Sequence, residues 1–283
     1  MTIIDGKEKS NKIKEKLKVE IEKYKSSIGK IPGLAVIIVG ENPASQIYVN
    51  SKIKNCESVG MKSYHCVLDA NISEKELLNK IEEYNKNDDI DGILVQLPLP
   101  KHIDEKKVID KIALNKDVDG FKPENLGLLF LGDNESLKPC TPAGIMELLL
   151  EYNIEIKGKN VTIIGRSNIV GKPMAGFMIN ASGTVTVCNS HTKDIENKIK
   201  EADVLIVAMG KNKYIKKHMV KDGVVIVDVG INRDSKGISG DVDFEDVKET
   251  ASYITPVPGG VGPMTIAMLL KNTVKAFRKN KNI

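Results

Sequence analysis

Short apolar runs of strand length alternate with amphipathic, helix-length segments from one end of this chain to the other, and few folds accommodate that alternation. Leu34-Ala-Val-Ile-Ile-Val39, Gly92-Ile-Leu-Val-Gln96, Val161-Thr-Ile-Ile164, Val204-Leu-Ile-Val-Ala208 and Val224-Val-Ile-Val227 are almost continuously apolar. Strands buried on both faces of a parallel sheet read this way. Two further strands are predicted near 62–68 and 184–187. The helices between them are predicted at 7–28, where Ile13, Leu17, Ile21, Tyr24 and Ile28 recur every three or four residues, and at 44–59, ending at Gly60. Ser73-Glu-Lys-Glu76 is a capping box that opens another. A short helix is predicted near 104–113, and one from the N-cap and first-turn pair Thr141-Pro142 to Tyr152. The stretch 115–139, rich in Gly, Asn, Asp and Pro, reads as a loop between two α/β units. A glycine-proline loop at 255–265 leads into a terminal helix.

The 283 residues suffice for two cores. No apolar run approaches the roughly 18 residues of a membrane span. The charged segment from Met1 to Lys18 lacks the apolar core of a signal peptide, so a cytosolic location is expected. Cys56, Cys66, Cys140 and Cys188 are scattered, as are His65, His102, His191 and His218; small buried thiols and no metal are expected. A net charge of +4, no Trp and 4% aromatics argue against nucleic acid. The lysine-rich stretches 211–217 and 278–281 read as solvated helix faces. Of 42 Lys plus Arg, the arginines are Arg166, Arg233 and Arg278, so each invites a geometric reason.

Gly165-Arg-Ser-Asn-Ile-Val-Gly171 joins a strand to a helix. That is where a Rossmann-type unit holds a pyrophosphate against free N–H groups at a helix N-terminus, although a tight turn in an unrelated α/β protein has the same outline. Ser167 stands where the common G-x-G-x-x-G pattern has glycine. The next strand ends Val187-Cys-Asn-Ser190 without the acid that NAD sites place near the ribose 2′-hydroxyl. Arg166 and Ser190 are therefore expected to clamp a 2′-phosphate, which selects NADP.

In the first unit, Ser45, Tyr48 and Lys52 share a stripe of one helix beside the apolar stripe Val49, Ile53 and Cys56. Such a polar stripe faces either solvent or a cleft. Gln96 ends an apolar strand at the carboxyl edge, where α/β sheets bind ligands. Asp119, in Asp117-Val-Asp-Gly120, is a turn residue or a ligand anchor.

Tyr48-x-x-x-Lys52, Val95-Gln-Leu-Pro-Leu-Pro100, Asp117-Val-Asp-Gly120, Pro139-Cys-Thr-Pro142, the 165–173 turn, Asp228-Val-Gly-Ile-Asn232, Gly240-Asp-Val-Asp-Phe244 and Pro256-Val-Pro-Gly-Gly-Val-Gly-Pro-Met-Thr265 occur in order along nearly the whole chain. Together this set resembles the bifunctional methylenetetrahydrofolate dehydrogenase/methenyltetrahydrofolate cyclohydrolase family. Asn189 stands where many members have His. The resemblance implies a catalytic folate-binding α/β domain at 1–139, completed by 256–283 with the C-terminal helix, and a Rossmann-like NADP-binding domain with a parallel sheet at 140–255. It implies that Tyr48 stacks on the folate ring system, Asp119 anchors the pterin, Lys52 assists proton transfer and Gln96 holds its amine. Val95, Leu97 and Pro258, Gly259, Gly260, Val261 and Gly262 would line the substrate site; Gly165, Arg166, Ser167, Gly171, Ser190 and Ile231 would hold NADP. A cytoplasmic homodimer joined through the nucleotide domain is expected. The competing readings are a monofunctional dehydrogenase and a nucleotide-sensing module with a decayed site.

Overall fold

A computed structural model describes residues 1–234 and 237–283. In chain order the elements are β1 (Thr2–Ile3), α1 (Gly6–Ile28), β2 (Gly33–Val39), α2 (Pro43–Ser58), β3 (Lys62–Leu68), α3 (Glu74–Lys86) and β4 (Gly92–Val95). Next come α4 (Glu105–Lys111), α5 (Pro123–Phe130), α6 (Cys140–Glu151), β5 (Asn160–Ile164), α7 (Gly171–Asn180), β6 (Thr184–Cys188), α8 (Ile195–Lys200) and β7 (Val204–Val207). The chain ends with β8 (Val225–Asp228), β9 (Asn232–Asp234), β10 (Gly237–Ser239), α9 (Phe244–Val247), β11 (Tyr253–Ile254) and α10 (Val261–Lys281).

Two compact units form. One contains Met1–Asn11, Leu128–Asn134 and Thr141–Thr265; the other contains Lys12–Gly127, Glu135–Cys140 and Ile266–Ile283. The first eleven residues and 256–265 thus group with the 140–255 segment. The reason is local: β1 pairs in parallel with β11, and the Lys7 N–H donates to the Gly259 carbonyl.

The first unit is built on a parallel sheet in the order β1-β11-β8-β7-β5-β6. From β5 the chain crosses first to β6 on one side, then to β7 on the other. The strand order therefore reverses at β5/β7, where α/β sheets open a crevice at their carboxyl ends. Ile164, Leu205, Val207, Ile226 and Ile254 contribute to a core that holds the sheet together. The second unit carries a parallel sheet β3-β2-β4. Every residue of β2 is buried, and Ile37, Leu77, Ile81 and Ile93 pack in its core. The expected fold class, α/β with parallel sheets, is what forms.

The capping box is present: the Glu76 N–H donates to Ser73 Oγ (3.2 Å), and the Ser73 N–H donates to Glu76 Oε2 (3.0 Å). Cys56, Cys140 and Cys188 are buried free thiols, and Cys66 is half-buried.

Four expectations need correction. The 115–139 stretch contains α5. Pro123 suits a first helical turn, and the buried Asp117 carboxylate accepts from the N–H groups of Phe121 and Lys122 and from Asn125 Nδ2. α6 starts at Cys140, so Thr141 lies inside the helix, its hydroxyl 2.9 Å from that of Thr265. The terminal loop ends earlier than 265, because α10 begins at Val261. Residues 211–217 are mostly irregular rather than a helix face, with an isolated bridge from Ile215 to Val242 and a single turn at Lys217–Met219.

Asn272 of α10 ties the second unit's loops to its helix. Its Nδ2 donates to the carbonyls of Val118 and Lys138, both at 2.8 Å. Val118 O also accepts from Cys140 Sγ (3.2 Å). Asn272→Leu should destabilise this unit by about 1–3 kcal/mol, the cost of two carbonyls losing a shared donor. Urea unfolding followed by circular dichroism checks this; an unchanged midpoint would count against the clamp.

Candidate functional site

At the β5/β7 switch point the backbone leaves no room for side chains. Gly165 has φ +130°, and a Cβ there would lie 2.3 Å from the Ala208 carbonyl oxygen. A Cβ on Gly171 would lie 2.1 Å from Gly165 O. Both positions therefore require glycine, and the strand turns sharply into α7. Ser167 closes the turn: its Oγ accepts from the N–H groups of Val170 (3.2 Å) and Gly171 (3.4 Å), and its carbonyl accepts from Lys172 N–H. These first N–H groups of α7 are thus spent inside the turn, a correction to the simple picture of free donors awaiting a pyrophosphate.

Beside this turn lies a cavity of about 380 Å³. Gly165, Arg166, Ser167 and Ser190, the turn and strand-end residues singled out in the sequence, line it. Thr192, Met209, Lys211 and Tyr214 line it too, and sequence reasoning missed them. Lys211 Nζ sits 5.3 Å from the Tyr214 ring centroid. The signal was available, because Met209 to Lys211 follow β7 at the same carboxyl edge that singled out Gln96 after β4. Gly171 shapes the turn from beneath. Ile231 is exposed and is not among the described residues lining this cavity. β6 ends at Cys188, and the half-buried Asn189 follows, its N–H donating to Thr192 Oγ1 (2.8 Å) and its Oδ1 accepting from the His191 N–H (2.9 Å).

In the second unit, α2 and β4 bring Lys52 and Gln96 together. Lys52 Nζ donates to Gln96 Oε1 at 3.0 Å, and Gln96 Nε2 donates to the Leu97 carbonyl at 2.6 Å. This second bond fixes which amide atom faces the lysine. Val49 and Cys56 of α2 are buried and Ile53 is half-buried, so the apolar stripe anchors the helix; Tyr48 lies half-buried one turn before Lys52. Val95 is buried behind Gln96, and Leu97 is half-buried.

Asp119 feels the Lys52 charge. Burial pushes its carboxyl up to about 6; the Lys52 ammonium pulls it down and Asp117 pushes it up. Burial wins over the attraction of Lys52. Lys52, Gln96 and Asp119 thus form one electrostatic set. Pro258, Gly259, Gly260, Val261 and Gly262 belong to the other compact unit, packed at the start of α1.

Fold and switch-point geometry define a dinucleotide-binding α/β protein with a second α/β unit that carries a lysine, carboxamide and carboxylate. Comparison with known families narrows this. Residues 4–119 match the catalytic domain of tetrahydrofolate dehydrogenase/cyclohydrolase, and residues 139–281 match the NAD(P)-binding domain of the same enzyme. The chain belongs to the tetrahydrofolate dehydrogenase/cyclohydrolase family. It is 56% identical to the bifunctional protein FolD of Acetivibrio thermocellus over 98% of this chain and 96% of that one. The bifunctional enzyme FolD of Campylobacter jejuni has the same fold, with a TM-score of 0.97 and 54% identity over 99% of both chains. The Trypanosoma brucei enzyme, solved with NADP cofactor and inhibitor, superimposes with a TM-score of 0.96 at 36% identity, over 100% of this chain and 99% of that one.

The electrostatic set makes a direct prediction. A ¹³C NMR titration should place the Asp119 carboxyl midpoint near 6. Lys52→Met should move it higher, because the ammonium is what holds it down. A midpoint near the ordinary carboxylate value of about 3.9 would refute the buried placement.

Proposed function

We propose that this protein oxidises 5,10-methylenetetrahydrofolate with NADP⁺ and hydrolyses the methenyl product to 10-formyltetrahydrofolate, with the folate bound by 1–139 and 256–283 and the dinucleotide by 140–255. The observation that carries the reading is the 3.0 Å bond from Lys52 Nζ to Gln96 Oε1, in the unit that also holds Asp119. A monofunctional dehydrogenase has no need of an amine fixed in this way, and a decayed module would not keep it.

The residues fit the dinucleotide. Gly165 and Gly171 let the turn close tightly beside the cavity, and Arg166 and Ser190, which line it, offer a guanidinium and a hydroxyl to a 2′-phosphate with no acid at the strand end. NADP⁺, when bound, supplies the hydride acceptor for the first step. The protein's task there is positioning: Tyr48 against the folate rings, Asp119 on the pterin amide edge, and Val95, Leu97 and Pro258 to Gly262 along the substrate. Ile231 is assigned to the cofactor on the family resemblance alone.

In the second step water adds to the methenyl carbon, the bond from that carbon to N5 opens as one water proton passes to N5, and the other water proton is released. Lys52 moves that proton, and Gln96 accepts from its amine and keeps it aimed. The resemblance further supports a cytoplasmic homodimer, checked by its mass in solution. Among the described residues no helix is long and apolar enough to cross a membrane.

Lys52→Met should lower hydrolysis of the methenyl compound by about 10²-fold or more, the scale of a lost proton-transfer group. Normal hydrolysis in that variant would remove Lys52 from the mechanism. Wild type should prefer NADP⁺ over NAD⁺ in kcat/KM by about tenfold or more, since one charged contact contributes about 1.5–3 kcal/mol. Arg166→Ala should erase most of that margin by weakening NADP⁺ use alone. Steady-state kinetics with both cofactors decides; equal losses for both would make Arg166 structural.

A further inference from the structure

Two buried carboxylates join the turns that follow β7 and β8. Asp241, fully buried, accepts at Oδ2 from the N–H groups of Met209 (2.7 Å) and Gly210 (2.9 Å). At Oδ1 it accepts from Lys211 N–H (2.8 Å) and Asn232 Nδ2 (2.9 Å). Four donors fill the roughly four lone-pair sites of an ionised carboxylate. Asp228, 3% exposed, holds Asp241 in turn: it accepts from the N–H groups of Gly230 (2.9 Å), Asp241 (3.0 Å) and Val242 (2.9 Å).

The first three donors to Asp241 are successive residues of one irregular segment, which leaves β7 and runs along the dinucleotide cavity. No sheet ladder or helix sets the course of Met209 to Lys211. The Asp241 carboxylate does, without itself lining the cavity that Met209 and Lys211 line. Asn232 closes the fourth bond from the residue after Ile231, so one carboxylate registers the post-β7 turn against the post-β8 turn.

We propose that Asp241 is a positioning residue for the cofactor: it fixes the Met209–Lys211 backbone as one wall of the dinucleotide cavity and sets Lys211 where its ammonium meets the phosphates. This rests on reading that cavity as the NADP site. Asp241→Asn keeps the shape but presents an NH₂ to N–H groups that need an acceptor, so the wall must shift. Asn232→Ala removes one donor of the four and leaves the carboxylate in place.

The test is a calorimetric titration of the purified protein with NADP⁺, run beside hydrolysis of the methenyl compound, which consumes no dinucleotide. Asp241→Asn should weaken NADP⁺ binding by about tenfold or more, the scale of one lost charged hydrogen bond. Hydrolysis should stay within about twofold of wild type. Asn232→Ala should weaken NADP⁺ binding in the same direction by roughly two- to fivefold, again without touching hydrolysis. Wild-type affinity in Asp241→Asn, or loss of binding and hydrolysis to the same degree, would overturn the assignment. Should Asp241→Asn fail to fold, Asn232→Ala decides, and unchanged NADP⁺ affinity there overturns it. Wild type that binds no NADP⁺ would instead sink the reading of the cavity itself, before any variant is made.

Discussion

Parallel pairing is the constraint on which the rest of this structure depends. A parallel sheet brings the carboxyl ends of its strands to one edge, so every turn that leaves that edge faces the same space. In the larger unit β5, β6, β7 and β8 end there, and their following turns carry Gly165 to Ser167, Asn189 to Thr192, Ala208 to Lys211 and Val229 to Ile231. In the smaller unit the same rule sends Gln96 off the end of β4. The chemistry-bearing residues are scattered in sequence and gathered by topology.

Close approach at that edge comes with polar groups that need partners. Ser167 takes up the first N–H groups of α7, and Asp241 takes up those of Met209 to Lys211. In the smaller unit the problem is reversed: the half-buried Asp119 carboxylate is repelled by its neighbour Asp117, and its compensation comes from Lys52. A carboxyl poised near 6 with a lysine beside it is sensitive to any charge brought next to it. The nearby Cys140 thiol is pushed well up by burial and by Asp119, and stays a neutral filler.

The long strands were legible because a run such as Leu34 to Val39 has no other place than a covered sheet. β1 and β11 were not, since two residues each carry no period and only their pairing makes them strands. The helix α5 was hidden by residues that punctuate loops elsewhere: Pro123 starts it, and Asn125 spends its amide on Asp117. Spacing placed Tyr48 and Lys52 on one stripe but could not choose between water and a cleft. A partner 44 residues away in sequence, Gln96, gives the Lys52 amine its place. Lys211 misled because charge reads as solvation, and only the course of the chain after β7 turns it toward a cavity. Asp241 stands in the Gly240-Asp-Val-Asp-Phe244 block, but nothing local gives it a role; that exists only where the segments after β7 and β8 meet.

One polypeptide both forms and consumes the methenyl cation. Rapid mixing of the wild-type protein with 5,10-methylenetetrahydrofolate and NADP⁺, with NADPH and methenyl absorbance followed together, tests it most directly. NADPH should rise to completion while the methenyl signal rises and then falls faster than it does without protein. A methenyl signal that matches NADPH mole for mole and decays at the protein-free rate would contradict it.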